Sequence, residues 1–474
     1  MSREDDDFFD FEEDKEFEEL ISKFENFVNS NEYAFFDKED IIDIIDYYLG
    51  WMNIEMVSKA IEVGLEYYPD SSEILLKKVE LLAKQNRTID AMKLLNQIEQ
   101  DIHNDPQFFL TKGDIYSQMG LSEQAIQEYK KLLNFDFPSK DFVYNIIGSE
   151  YLMIDKYAEA IHYLKKSVEI SDENNPALYK IYFAYSELEQ LDECIKYFEK
   201  VIDASPFNSD AWLYMAFCYY DKNDFENALE SINFALAINP SDLLIVLKKS
   251  DILKELNRYN DAIELLKEFL ENDPQNTYLL NVLAETYNEI ADYEKAIQYF
   301  HKSLHYNPKN SRAWLGLAEA YAHLSQDNEA ISCIYQALQN SNDDPEVIIN
   351  IGKLYILMEF YEEAIEVLKL IIDKDYKKSE TIVWYSIALE KSGYAKDALD
   401  LLTDQIYNQN DNDVQLQYCL ASILLTYQYR KEGLAILEKA LQTDPSKVEI
   451  IYEFNRYFET DAEIQSLIYQ YLKN

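Results

Sequence analysis

A small residue returns every thirty-four or thirty-five positions through most of the chain: Ala91, Ala125, Ala160, Cys194, Ala228, Ala262, Ala296, Ala330, Ala364, Ala398 and Gly433. A fixed period of that length marks one supersecondary unit repeated in tandem, and such a unit cannot bury its apolar face until a neighbour stacks on it. The chain is therefore expected to be a solenoid, with its function in the surface that stacking creates.

Each unit can be read outward from the small site. Nine residues before it stands a large one, usually tyrosine: Tyr48, Tyr116, Tyr151, Tyr185, Tyr219, Tyr287, Tyr321 and Tyr355, with Leu82, Leu253, Leu389 and Leu424 in the other units. Twelve before it a second small residue recurs, as Gly113, Gly148, Ala216, Ala284, Ala318, Gly352 and Ala421. Small residues at both places let two helices approach closely while the large one fills the space beside them. Twelve after the site come Pro69, Pro206, Pro240, Pro274, Pro308 and Pro445. Proline there ends a helix, because it lacks an N–H donor and turns the preceding residue away from helical geometry. Between Ala211 and Asn239, Trp212, Met215, Ala216 and Tyr219 fall three or four apart, and so do Phe225, Ala228, Leu229, Ile232 and Ala235. Two amphipathic helices joined by the polar break at 221–224 make an antiparallel hairpin.

The phasing of Trp212, Met215, Ala216, Tyr219, Phe225, Ala228, Ile232, Ala235 and Pro240 resembles the tetratricopeptide repeat, and Trp314, Leu317, Ala318, Tyr321, Ala330 and Ala337 match it again. The resemblance implies an all-α fold, a right-handed superhelical solenoid of about twelve tetratricopeptide-like helical hairpins with capping helices. The units run from Lys38 to Lys447, with single-residue insertions near Lys140 and Asp413. Val57 replaces the small residue in the first unit, and Ile45, Val79 and Tyr182 stand where Gly or Ala is usual, so helix pairs there are expected to loosen or tilt.

The ends differ from the middle. Residues 1–37 hold fourteen acids against three bases, with phenylalanines from Phe8 to Phe36. Residues 1–13 are expected to be an acidic, disordered tail and 14–37 a capping helix with its connector, since Phe17, Leu20, Ile21, Phe24, Phe27 and Val28 share one face of Asp14–Asn29. Asp5–Glu13 is either a solvated extension or a docking peptide. The repeat array occupies 38–447, one continuous domain, and 448–474 reads as a C-terminal capping pair, with Thr460 and Glu463 spaced as a capping box.

The net charge is −46, of which −35 lies beyond the N-terminal segment. That field repels nucleic acid and anionic membrane and favours basic partners, although acidity also serves solubility. The acidic start is unlike a signal peptide and no apolar run reaches membrane-spanning length, so a cytoplasmic location is expected. The four cysteines, Cys194, Cys218, Cys333 and Cys419, lie far apart and read as reduced small hydrophobes. No phosphate loop, nucleophile elbow or Cys/His metal spacing occurs, and no cofactor is expected. His301 and His305 are four apart on a helix with no third ligand nearby in sequence, and repeating acids such as Asp251, Glu285 and Glu319 offer only a remote acid–base pair.

In tetratricopeptide proteins the first helices of successive units line a peptide-binding groove, and the site eleven before the small residue faces it. Here that row reads Asp46, Glu80, Asp114, Ser149, Phe183, Phe217, Asp251, Glu285, Glu319, Lys353, Ile387 and Ser422. Tyr179, Tyr214 and Tyr220 stand at other first-helix sites that reach the groove or its core, and Asn281 and Asn288 offer amides to a peptide backbone. The family's carboxylate clamp is not matched: Asn145, Ser149 and Lys180 are followed by Asp210 and Tyr214 where Lys and Arg would be needed. The chain is expected to be a non-catalytic scaffold binding a basic or aromatic-bearing segment through Asp114, Tyr179, Phe183, Tyr214, Phe217, Tyr220, Asp251, Asn281, Glu285, Asn288 and Glu319. The alternatives are a regulatory or targeting subunit acting through its acidic N-terminal segment and, remotely, an enzyme using groove carboxylates.

Overall fold

The computed structural model describes residues 6–30, 34–135, 139–171, 176–374, 376, 378–408, 413–427 and 429–472, with the side chains of 6–14, Ser30 and Asn408 outside the description. All regular structure among these residues is helical. The chain divides into two compact units, Met1–Ile245 and Val246–Asn474.

In the first unit α1 (Asp6–Ser30) precedes six hairpins: α2 (Lys38–Gly50) with α3 (Ile54–Tyr67), α4 (Ser72–Lys84) with α5 (Thr88–Ile102), α6 (Pro106–Gln118) with α7 (Ser122–Leu132), α8 (Lys140–Met153) with α9 (Tyr157–Ile170), α10 (Ala177–Glu187) with α11 (Leu191–Ala204), and α12 (Ser209–Asp221) with α13 (Phe225–Ile238). The division falls inside α14 (Leu243–Glu255), whose partner is α15 (Tyr259–Asn272). The second unit continues with α16 (Thr277–Glu289) and α17 (Tyr293–Tyr306), α18 (Ser311–His323) and α19 (Asp327–Asn340), α20 (Pro345–Leu357) and α21 (Tyr361–Ile372), α22 (Ser379–Lys391) and α23 (Ala395–Thr403), and α24 (Val414–Thr426) and α25 (Arg430–Thr443). Two shorter helices, α26 (Ile450–Phe454) and α27 (Ala462–Leu472), follow.

The sequence rows explain why each hairpin closes. Ala91, Ala125, Ala160, Cys194, Ala228, Ala262, Ala296, Ala330, Ala364 and Ala398 are all fully buried. At the glycines of the second small row the helices leave no room for a methyl group: a Cβ added at Gly113 would lie 2.3 Å from the Tyr129 ring, and at Gly148 or Gly352 2.6 Å from Leu164 or Leu368. Val57, Ile45 and Val79, expected to loosen their pairs, are themselves fully buried in apolar clusters, so the added bulk is packed.

The turn inside each hairpin has a conformation that the residue types conceal. Five residues before the small site the backbone takes positive φ, at Met52, Asn86, Gly120, Asp155, Glu189, Asn223, Asn257, Ala291, Ser325, Glu359 and Gly393. The next residue's N–H then reaches back to the carbonyl of the tyrosine or leucine row, as from Lys156 to Tyr151, Gln190 to Tyr185 and Asp292 to Tyr287, each at 2.9 Å. This is the Schellman closure, which satisfies carbonyls that the helix end leaves open. The second helices stop two residues before the prolines, and the residue between, such as Ser205 (ψ 79), Asn239 (ψ 83) or Asn307 (ψ 82), leaves helical geometry as a residue preceding proline must.

The ends differ from expectation in two places. The N-terminal helix begins at Asp6 rather than Asp14, through part of the segment expected to be disordered, while the side chains of the candidate docking peptide lie outside the described residues. From Phe17 onward it packs on α2 and on the segment just before it, with Phe17 against Tyr47 at 5.6 Å and Phe24 against Phe36 at 5.7 Å. At the other end Thr460 and Glu463 form no capping box. Asp461 caps α27, accepting from the Glu463 and Ile464 N–H groups at 3.1 and 3.2 Å, and Glu463 is taken by Arg430 at 2.8 Å. The helix starts one residue later than the Thr460 reading required, which puts a carboxylate at its cap.

Non-glycine residues strain the turns, and the glycine contacts such as Gly113 have no room for a methyl group. Ala291→Gly, at φ 59, is expected to raise the urea midpoint by an amount worth roughly 0.5–1 kcal/mol, and Gly113→Ala to lower it by roughly 1–3 kcal/mol.

Candidate interaction surfaces on the first helices

In the first unit, α10 carries Tyr179 and Tyr182 three residues apart and α12 carries Tyr214 and Phe217 at the same spacing, so each pair shares a helix face. The two helices are neighbours and the rings meet. Tyr179 lies 5.9 Å from Tyr214, Tyr182 lies nearly parallel to Tyr214 at 6.1 Å, and Phe217 stands edge-on to Tyr182 at 5.4 Å and to Tyr214 at 5.7 Å. These are ordinary aromatic-pair geometries. The platform is partly open: Tyr179 is 50% exposed, while Tyr182, Tyr214 and Phe217 are half-buried. Its rim is acidic. The Tyr182 hydroxyl donates to Asp221 at 2.7 Å. Burial, with Asp242 nearby, raises the Asp210 carboxyl, and burial pushes Tyr214 up to about 12 with Asp210, Tyr179 and Asp242 adding to it.

Of the expected residues, Tyr179, Tyr214 and Phe217 thus come together. Phe183 meets Tyr157 instead, at 6.3 Å, and Tyr220 meets Phe225 at 5.4 Å. Tyr182 belongs to the platform, although its position in the repeat placed it in the close helix contact. Its ring is half-buried over the core, against Tyr214 and Phe217; its spacing of three from Tyr179 was the available signal. Asp114 is engaged by the Tyr129 hydroxyl at 2.7 Å. The residues nearest to a carboxylate clamp satisfy one another, the Lys180 ammonium donating to Asn145 and Ser149, both at 2.6 Å.

In the second unit α16, α18 and α20 lie side by side and enclose a hollow of about 440 Å³ whose walls include Glu285 and Glu319. Glu285 opens to solvent within it yet is crowded by neighbouring helices. That crowding lifts its carboxyl to about 7; Glu289, Asp251 and Glu319 push the same way and Lys254 opposes. Glu319 is also raised, chiefly by burial. Asp251 is held by Lys254 at 3.4 Å, and the same ammonium lies 3.2 Å from Glu289. The two asparagines are turned inward. Asn281 is buried, and Asn288 donates to the Gly316 carbonyl at 3.0 Å, so neither offers a free amide to a peptide. Ile387 and Ser422, at the far end of the expected row, are buried as well. His301 meets the Tyr321 hydroxyl at 3.2 Å. Among the described residues no group of three or more His, Cys, Asp and Glu is placed to hold a metal, and no helix is long and apolar enough to cross a membrane.

A carboxyl raised in the folded state holds its proton more tightly folded than unfolded, so folding loses ground as pH rises from the ordinary carboxylate range through about 7. Glu285→Gln is therefore expected to raise the unfolding temperature relative to the parent chain at pH 8, with the difference shrinking towards pH 5.

Three tetratricopeptide-repeat family models match the sequence, one over residues 221–286 and 291–334, a second over 184–242 and a third over 106–137 and 143–174. No curated protein matches it. Among solved structures the chain is similar to yeast Tom70 (16% identity, 98% of each chain, TM-score 0.46). It is also similar to a tetratricopeptide repeat protein from Parabacteroides merdae (16% identity, 51% of this chain and 96% of that one, TM-score 0.41). YrrB, described as a TPR protein with an unusual peptide-binding site, is a third (14% identity, 42% of this chain and 97% of that one, TM-score 0.32). The matches fall on successive hairpins of the all-helical fold, and those hairpins are tetratricopeptide repeats.

Proposed function

We propose that the protein is a non-catalytic interaction scaffold whose first helices hold a protein segment bearing basic or aromatic side chains. Tetratricopeptide repeats generally mediate protein–protein contacts, which supports the coarse reading. The finer one rests on the platform of Tyr179, Tyr182, Tyr214 and Phe217, open to water at Tyr179 and with Asp210 and Asp221 beside it. Rings of this kind give large contact area for little entropy, and carboxylates at their edge favour a cationic neighbour over an anionic one. Four buried, unpaired cysteines are compatible with the cytoplasmic location expected from sequence.

Partner capture from native lysate tests this. The Tyr179→Ala, Tyr214→Ala pair is expected to weaken capture more than about ten-fold, as loss of two aromatic anchors does, and raised salt to weaken it further. Phe207→Ala, at an 85% exposed site outside the platform, is expected to leave capture unchanged. Full retention by the tyrosine pair at both salt concentrations would sink the platform reading.

A further inference from the structure

Two lysines of the first unit gather around one tyrosine with no acid between them, in a chain of net charge −46. Helices α7, α8 and α9 pack on one another, and three tyrosines form a row at their contact. The Tyr163 ring stacks on Tyr151 at 5.5 Å and lies 6.3 Å from Tyr144. Lys130, from α7, donates to the Tyr151 hydroxyl at 2.8 Å and has the Tyr163 hydroxyl as a second partner, with its ammonium 5.2 and 5.1 Å from the two ring centroids. Lys166, from α9, lies 5.5 Å from the centroids of Tyr144 and Tyr163. All of these side chains are half-buried, so they are partly stripped of water yet open to it. Among the described residues neither ammonium has a carboxylate at ion-pair distance. Glu128 on α7 is taken by Lys131 at 2.7 Å, and Glu150 on α8 accepts from Ser117. Nor does any of the three hydroxyls donate to a protein acceptor among those residues. An ammonium facing only neutral oxygens recovers part of the hydration it loses, and a hydroxyl that accepts from lysine keeps its own proton to give.

Lysine and tyrosine also meet elsewhere in the chain, without this combination. In the second unit Tyr287 stacks on Tyr299 at 5.6 Å, with Lys267 and Lys302 at 5.5 and 4.7 Å from the rings. There buried Leu280 stands in the place of Tyr144, and Lys295, over Tyr287, brings the carboxylate of Asp292 with it. Beside Tyr185 and Tyr197, Lys165 has Glu193 and Glu169 in its surroundings. Tying hairpins together therefore takes one lysine and one ring. The second lysine, the third hydroxyl and the lack of an acid at Tyr163 are more than that task requires.

We propose that Lys130, Lys166 and the hydroxyls of Tyr144, Tyr151 and Tyr163 form a binding site for a phosphoryl dianion, as borne by a phosphorylated side chain or by free phosphate. The two lysines end flexible stems that can converge on one anion, and the tyrosines add O–H donors beside them. Phosphate suits this set better than a carboxylate does, because it spreads two charges over three acceptor oxygens. The net charge of the molecule opposes any anion. At physiological ionic strength, however, acids more than about 8 Å away are screened, while the two ammoniums act in contact. The site is separate from the aromatic platform and goes beyond the reading of the chain as a binder of basic segments.

The test is a phosphorus NMR titration of the full chain at pH 7.5, with a blocked Ala-phosphoserine-Ala tripeptide and with inorganic phosphate as probes. Saturable binding of either probe is expected, and the tighter of the two identifies the source. A blocked Ala-Glu-Ala peptide in about ten-fold excess is expected not to displace them. Lys130→Gln, Lys166→Gln is expected to weaken binding at least about ten-fold, as loss of charged hydrogen bonds does. Tyr163→Phe, which keeps the ring and removes the hydroxyl, is expected to weaken it about three-fold. Lys267→Gln, Lys302→Gln, at the related stack of the second unit, is expected to bind as the parent does. Circular dichroism checks that each variant is folded, and Tyr163→Phe still tests the site if the lysine pair unfolds the chain. Absence of binding by the parent chain, displacement by the glutamate peptide, undiminished binding by the Lys130 and Lys166 pair or by Tyr163→Phe, or an equal loss in the Lys267 and Lys302 pair overturns the proposal.

Discussion

Everything in this fold depends on the close approach of two helices at sites where no side chain larger than a methyl or thiol usually fits. Helix axes brought together at a small residue must be held at that distance by packing on both sides. Here the neighbour four residues further along the second helix supplies one side, as Tyr129, Leu164 and Leu368 do over Gly113, Gly148 and Gly352. The Schellman turn fixes the other constraint, the angle at which the chain leaves the first helix. Its backbone bond ends on the carbonyl of the tyrosine or leucine row, so one residue both fills the space beside the contact and receives the turn's hydrogen bond. A change at that row therefore disturbs packing and closure together.

The tyrosines of that row also tie hairpins to one another. The residue five positions after the small site, on the second helix, meets the tyrosine of the next unit. Lys130 donates to the Tyr151 hydroxyl at 2.8 Å, Lys165 to Tyr185 at 2.7 Å, Lys267 lies over the Tyr287 ring, and His301 meets Tyr321. Leucine could fill the same volume but could not hold a partner at its rim. These contacts hold lysines between repeats, against rings and hydroxyls. Around Glu285 and Glu319 the nearby cations, Lys254, Arg312 and Lys353, are paired with other acids.

The repeat was legible because it is enforced by sterics, and sterics leave the same residue type at the same position in every unit. Proline and the two small rows are of this kind. The left-handed turn was not legible: its residues include Met52, Glu189, Ala291, Ser325 and Glu359, and a backbone bond can be satisfied whatever the side chain. The surface was partly legible for a related reason. The row eleven before the small site points outward only while its neighbours are ordinary, and where Tyr182 displaces the usual small residue the rings rearrange around it. Asn281 and Asn288 look like ligand-facing amides in a linear row, yet helix rotation carries them into the contact between repeats, where Asn288 holds the Gly316 carbonyl.

Two surfaces of different physics follow from one repeated scaffold. As proposed above, the platform in the first unit draws affinity chiefly from ring area, and burial raises Tyr214 so that its hydroxyl stays protonated at neutrality. In the hollow of the second unit burial raises the Glu285 carboxyl to about 7, with Glu289, Asp251 and Glu319 adding to it and Lys254 opposing. A repeat array permits this divergence: the residues that close each hairpin are separate from those on the outer face of its first helix, so the surface can change from unit to unit while the buried rows stay fixed. The exception is the inward-turned asparagines, where surface and core are the same residue, and there the array is least free to vary.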